Sequence, residues 1–90
     1  METKIKILTG LGFMIEAIDA TATLMGRKTV FAYRETDSGM VSLILSDNGT
    51  ARVLKPNGSV KWYYERSNAQ IGALLKQIIS ANTHKKGETK

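Results

Sequence analysis

Two Asn-Gly reversals constrain the fold of this chain more than any other feature of its sequence. Asn48-Gly49 and Asn57-Gly58 each separate two short stretches in which apolar and polar side chains alternate. Asn-Gly is strongly favoured in tight hairpin turns, because both residues tolerate positive φ angles. Links this short leave no room for a crossover connection, so the flanking strands must be antiparallel neighbours. The sequence therefore predicts an antiparallel β-meander.

Residues with turn-forming character bound four candidate strands in the meander. The predicted strands are Thr29–Arg34, Met40–Ser46, Thr50–Lys55 and Val60–Glu65. The first and last of them would form the exposed edges of the sheet, where an extended peptide or a second copy could pair.

The apolar side chains select a register for the first Asn-Gly hairpin. A three-residue loop ending at Gly49 pairs Leu43 with Val53 and Leu45 with Ala51. A two-residue turn would shift the pairing by one residue and send these side chains to opposite faces. The three-residue loop is therefore preferred.

A two-residue turn is predicted for the second hairpin, because it pairs Val53 with Trp62. By alternation, Trp62 and Tyr64 then point inward and Tyr63 points outward. The predicted buried face consists of Val41, Leu43, Leu45, Ala51, Val53, Val60, Trp62 and Tyr64. Phe31 and Tyr33 join this face if the link between the first two strands has three or five residues.

One helix is predicted before the meander in the chain and one after it. A short strand at Lys4–Leu8 is predicted to precede the first helix. The stretch Leu11–Met25 has apolar residues at helical spacing and a stop at Gly26. Ser67-Asn68-Ala69-Gln70 matches a capping box, in which the Ser67 hydroxyl and the Gln70 side chain each satisfy a backbone N–H. The apolar stripe of the second helix is Ile71, Leu74, Leu75 and Ile78, and its predicted end is near Asn82.

The predicted fold class is thus α+β. A four-stranded antiparallel β-meander carries an N-terminal helix and a capped C-terminal helix packed on the sheet. A chain of 90 residues has room for one core, so residues 1–82 are predicted to form a single compact domain. Residues 83–90 are predicted to be a flexible basic tail.

Composition excludes several classes of function. The chain has no cysteine, which excludes disulfides, thiolate zinc sites and cysteine nucleophiles and suits a cytoplasmic protein. Lys4 and Lys6 before an apolar stretch resemble a signal peptide, but Glu16 and Asp19 interrupt that stretch. No stretch is long enough for a membrane span, so no membrane partner is expected.

The outer sheet face is the candidate binding surface. It combines basic, aromatic and apolar residues, namely Arg34, Arg52, Lys61, Tyr63, Ile44 and Leu54. Basic groups beside an aromatic ring are typical of single-stranded nucleic-acid binding. The apolar members instead favour a face covered by the N-terminal helix or by a second subunit.

Catalysis is not expected, because no group of titratable residues converges in the predicted fold. His84 is the only histidine and has no neighbouring ligands in sequence, so no metal site and no cofactor are predicted. We therefore predict a small non-enzymatic protein-interaction or regulatory module that binds a protein partner or itself. The alternative is a nucleic-acid-binding protein that uses the basic and aromatic outer face.

Overall fold

A computed structural model describes residues 1–24 and 27–82, and their side chains except for residues 19–24 and 27. The elements in chain order are α1 (Glu2–Gly10), β1 (Met14–Leu24), β2 (Arg27–Thr36), β3 (Gly39–Ser46), β4 (Ala51–Leu54), β5 (Val60–Tyr63) and α2 (Asn68–Ala81). The strands form one antiparallel sheet in the order β1-β2-β3-β4-β5, and both helices contribute to the core on one face of it. The predicted α+β class is confirmed, with five strands instead of four.

The N-terminal region differs from its prediction. The predicted strand Lys4–Leu8 lies within α1, and most of the predicted helix Leu11–Met25 is β1; Met25 and the predicted stop at Gly26 lie outside the described residues. A β-bulge explains the error. Ile15 pairs with Ala32 and Ala17 with Phe31, so Glu16 is an extra residue in β1. Because of the bulge, residues three apart in sequence point to the same face of the sheet. Apolar residues at this spacing also indicate a helix, so the strand was predicted to be helical.

The link between β2 and β3 has two residues, because Thr36 pairs with Gly39. An even-numbered link sends Val30 and Ala32 to the face that the helices cover. Phe31 and Tyr33 consequently point to the other face. The condition under which they would join the buried face, a link of three or five residues, is not met.

The two Asn-Gly hairpins use the same three-residue loop. Ser46 N–H donates to the Thr50 carbonyl at 2.9 Å, and Lys55 N–H donates to the Ser59 carbonyl at 2.9 Å. Both loops end in a glycine with positive φ, +90° at Gly49 and +89° at Gly58. The predicted register of the first hairpin is therefore confirmed, since Leu43 pairs with Val53 and Leu45 with Ala51.

The predicted register of the second hairpin is wrong by one residue. Val53 pairs with Lys61, Arg52 with Trp62 and Ala51 with Tyr63. A three-residue loop has one residue more than the predicted two-residue turn, so every side chain of β5 changes face. Trp62, Tyr64 and Val60 point away from the helices and are exposed, whereas Tyr63 packs against the core.

The core lies between the helices and the covered face of the sheet. Its buried members are Leu8, Phe13, Val30, Ala32, Val41, Leu43, Leu45, Ala51, Val53, Ile71, Leu75 and Ile78. The predicted capping box is confirmed, because Gln70 N–H donates to Ser67 Oγ at 3.2 Å and Ser67 N–H donates to Gln70 Oε1 at 2.9 Å.

The edges of the sheet are β1 and β5. The prediction that Thr29–Arg34 forms an exposed edge is wrong, because β1 pairs along it. The prediction for Val60–Glu65 fits the position of β5. The predicted tail at residues 83–90 lies outside the described residues.

Candidate functional site

The side of the sheet opposite the two helices is the candidate site, and we call it the open face. Two rows of paired residues cross all five strands on this side. They are Met14–Tyr33–Ser42–Leu54–Val60 and Ala17–Phe31–Ile44–Arg52–Trp62. Because side chains alternate along each strand, the residues between these rows point to the core instead.

The open face is rich in large apolar side chains. It carries six of the seven exposed large hydrophobic residues among the described side chains, namely Met14, Met40, Leu54, Val60, Trp62 and Tyr64. The exposed fraction of their side chains ranges from 37 % at Leu54 to 62 % at Tyr64. Large apolar patches on protein surfaces are often interaction sites, which makes the open face the candidate.

Two aromatic rings lie along the β5 edge of the open face. Trp62 and Tyr64 stack with their ring centroids 6.0 Å apart and an interplanar angle of 9°. Their spacing of two residues in an extended chain puts both rings on one side. Both side chains remain partly exposed to solvent, Trp62 by 38 % and Tyr64 by 62 %.

Arg52 is the cation at the centre of the open face, between Ile44 and Trp62. It lines a shallow cavity of about 190 Å³ together with Glu16, the residue of the β1 bulge. One cation and one carboxylate thus share the cavity. The charge of the open face is close to balanced, although the chain as a whole carries +5.

The predicted site residues divide between the two faces. Arg52, Ile44 and Leu54, all on β3 and β4, come together on the open face as predicted. Arg34, Lys61 and Tyr63 lie on the helix-covered side instead.

Two local errors account for the division. The predicted register of β5 was wrong by one residue, which put Lys61 and Tyr63 on the wrong face. The length of the β2–β3 link determines the side to which Arg34 points. Arg34 lines a cavity of about 530 Å³ beside Gly12 and Lys76.

Sequence reasoning missed four exposed aromatic and apolar residues of the open face, Met14, Val60, Trp62 and Tyr64. Trp62, Tyr64 and Val60 were assigned to the core, and Met14 was assigned to a helix. One pattern in the sequence could have revealed the correct register. Asn48-Gly49-Thr50 and Asn57-Gly58-Ser59 match in chemistry at every position, so equal loops in the two hairpins were the simpler choice.

The chain was compared with known protein families, curated proteins and solved structures. No family model matches it, and no curated protein or solved structure is significantly similar to it. Neither helix in the described part of the chain has the length and apolar character needed to cross a membrane. Within residues 1–24 and 27–82, no group of three acidic or histidine side chains is placed to hold a metal ion.

Proposed function

We propose that this protein is a small non-enzymatic interaction module that binds a second copy of itself through the open face. The observation that carries the proposal is an apolar sheet face that crosses all five strands and has no covering layer among the described residues. Burial of such a face is favourable by about 25 cal/mol per Å² of apolar surface. The absence of cysteine suits a cytoplasmic setting for such a module.

The size of the open face suits a reversible dimer. Five strands spaced by about 4.8 Å span roughly 20 Å, and strand residues rise about 3.4 Å each. A patch of roughly 20 Å by 25 Å covers about 500 Å², slightly below the lower limit for specific interfaces of about 600 Å² per partner. Two such faces would pack as a β-sandwich, with the sheets about 10 Å apart.

Charge on the open face supports a second copy as the partner. Around a two-fold axis, each surface patch meets the same patch of the other subunit. Arg52 and Glu16 line one cavity, so a two-fold axis beside this cavity would bring Arg52 of each copy close to Glu16 of the other. Since the open face is nearly neutral, the overall positive charge does not concentrate repulsion there.

Trp62 provides a direct test, because it is the only tryptophan and lies on the open face. We expect its fluorescence emission to shift to shorter wavelength as concentration rises, in step with the mass measured by analytical ultracentrifugation. Leu54→Glu should abolish both changes by placing a charge in the interface. Ile18→Glu is the matched control, because Ile18 is 53 % exposed but pairs with Val30, off the open face.

Two results would contradict self-association. One is a monomer at about 1 mM, where a complex of about −4 kcal/mol would be half formed. The other is equal loss of dimer in Ile18→Glu and Leu54→Glu. A wild-type monomer whose open face still captured a different protein would contradict the second copy as the partner.

Nucleic-acid binding is the second candidate, and the Trp62–Tyr64 stack is the observation in its favour. Bases stack on exposed aromatic rings, typically for about 1–3 kcal/mol each. The charge distribution is less favourable for nucleic acid. Three basic residues were predicted for this surface, and only one of them, Arg52, lies on the open face. Anisotropy of a labelled single-stranded oligonucleotide at low salt tests this candidate, and unchanged binding in Arg52→Ala would exclude the open face.

A further inference from the structure

We propose that the groove between β5 and α2 is a second binding site, which takes an extended acidic segment of a partner protein as a sixth strand. This site adjoins the open face along β5, where the Val60 and Trp62 side chains belong to the open face, but its cavities lie on the other side of the sheet. It lies at the free edge of the sheet, on the side that the helices occupy, so both sites could be filled at once.

The backbone of β5 is suitable for strand addition. β4 is the only described neighbour of β5. Lys55 and Ser59 are hydrogen-bonded across the hairpin, and bonded positions alternate along an antiparallel pair. Val60 and Trp62 therefore direct their N–H and C=O groups away from β4, toward the free edge. An added strand would use these groups for main-chain hydrogen bonds.

Two neighbouring cavities lie between β5 and α2. One has a volume of about 340 Å³ and reaches Lys55 and Asn82, and the other has about 250 Å³ and reaches Arg66 and Gln70. Tyr63, Leu74 and Gln77 line both cavities. Because the helix begins near Tyr63 and ends near Lys55, α2 runs back along β5, and the cavities form one groove parallel to the strand.

The spacing of the cavities matches an extended chain. The helix residues around the larger cavity lie about four positions further along α2 than those around the smaller one, or roughly 6 Å at about 1.5 Å per residue. Alternate side chains of a strand are about 6.6–6.8 Å apart. Side chains i and i+2 of an added strand would therefore reach one cavity each, with Leu74 and Tyr63 supplying apolar contact.

The charge around the groove selects an acidic partner. Lys55 and Arg66 line the groove and Lys61 lies beside Tyr63, whereas Glu65 is the single carboxylate of residues 55–82. Lys61 Nζ lies 6.0 Å and Arg66 Cζ 5.9 Å from the centroid of the Tyr63 ring. Residues 83–90 carry three lysines and one glutamate, so their charge has the same sign as the groove and does not suit it as a ligand.

The probe is a fluorescein-labelled peptide of alternating glutamate and valine, with capped ends, followed by fluorescence anisotropy on the full chain. We expect saturable binding that weakens with salt. Lys55→Glu and Arg66→Glu should each weaken binding about tenfold, as expected for loss and reversal of a favourable charge contact. Lys76→Glu makes the same charge change on the opposite side of α2, beside Arg34, and should change binding less than about twofold.

Three further peptides and variants make the proposal falsifiable. A peptide with lysine for glutamate, or one with proline for the central valines, should not bind, because proline removes the donors that a sheet requires. Equal binding of the proline peptide, or equal weakening in Lys76→Glu and Lys55→Glu, would overturn the proposal. Leu54→Glu disrupts the open face alone, so loss of peptide binding in that variant would also overturn it, whereas retained binding separates the two sites.

Discussion

The two faces of the sheet differ in how far their side chains are buried. On the covered face, Leu45 and Val53 have no exposed surface, whereas Leu54, which is adjacent to Val53 in sequence, is 37 % exposed on the open face. In most antiparallel sheets with one solvated face, the outer side chains are polar. Here both faces are apolar, and the described helices cover only one of them. This sheet therefore has the composition of a sheet that is covered on both faces.

The covering layer is small. Its buried side chains are Leu8 of α1 and Ile71, Leu75 and Ile78 of α2. All of these side chains pack against the covered face of the sheet. Burial of the open face therefore requires a surface from outside the described residues, which is the basis for proposing a second copy.

Gly49 should show the largest effect, because it packs against Arg66 in the segment that leads from β5 to α2. A Cβ at Gly49 would lie 2.0 Å from the carbonyl oxygen of Arg66. We expect Gly49→Ala to lower the free energy of unfolding by about 2–6 kcal/mol, from backbone strain and overpacking together. Urea denaturation of the variant measures this loss.

Gly58→Ala is the control for Gly49→Ala. Gly58 has nearly the same φ, but a Cβ there would have no other atom within 4 Å. It should cost only the strain of a positive φ, about 1–2 kcal/mol. Equal costs at the two glycines would show that the link from β5 to α2 does not pack against the hairpin.

Substitution of leucine should distinguish the two faces with the next largest effect. Leu45→Ala removes fully buried methyl groups and should cost about 2–5 kcal/mol. Leu54→Ala should change stability by less than about 1 kcal/mol in the monomer, because its side chain is partly in water already. Thermal and urea denaturation at low protein concentration measure both. A similar cost for the two variants would mean that the open face is covered within one chain.

Loss of the cap of α2 should have the smallest effect. Ser67→Ala removes the hydroxyl that accepts from Gln70 N–H and should cost about 0.5–2 kcal/mol. Ser80→Ala, in the exposed last turn of α2, should be neutral or slightly stabilising because alanine has the higher helix propensity. If Ser67→Ala were as neutral as Ser80→Ala, the start of α2 would contribute little to the covering layer.

Three of the six predicted site residues lie on the open face, and particular residues show why. Arg52, Ile44 and Leu54 were placed correctly because the register between β3 and β4 follows from two pairs of apolar residues around Gly49. Lys61 and Tyr63 were misplaced because one extra loop residue reverses a whole strand. Arg34 was misplaced because its predicted position depended on the length of the β2–β3 link. The residues of that link did not specify its length.

The sequence by itself determined the features that are decided within a few residues. Turn chemistry at Asn48-Gly49 and Asn57-Gly58 set the meander, and the Ser67 cap set the start of α2. Tertiary structure decided that Met14–Leu24 forms a strand, how β5 is registered, and which face is buried. These outcomes depend on pairing and packing between segments far apart in the chain, whose free energies no local pattern contains.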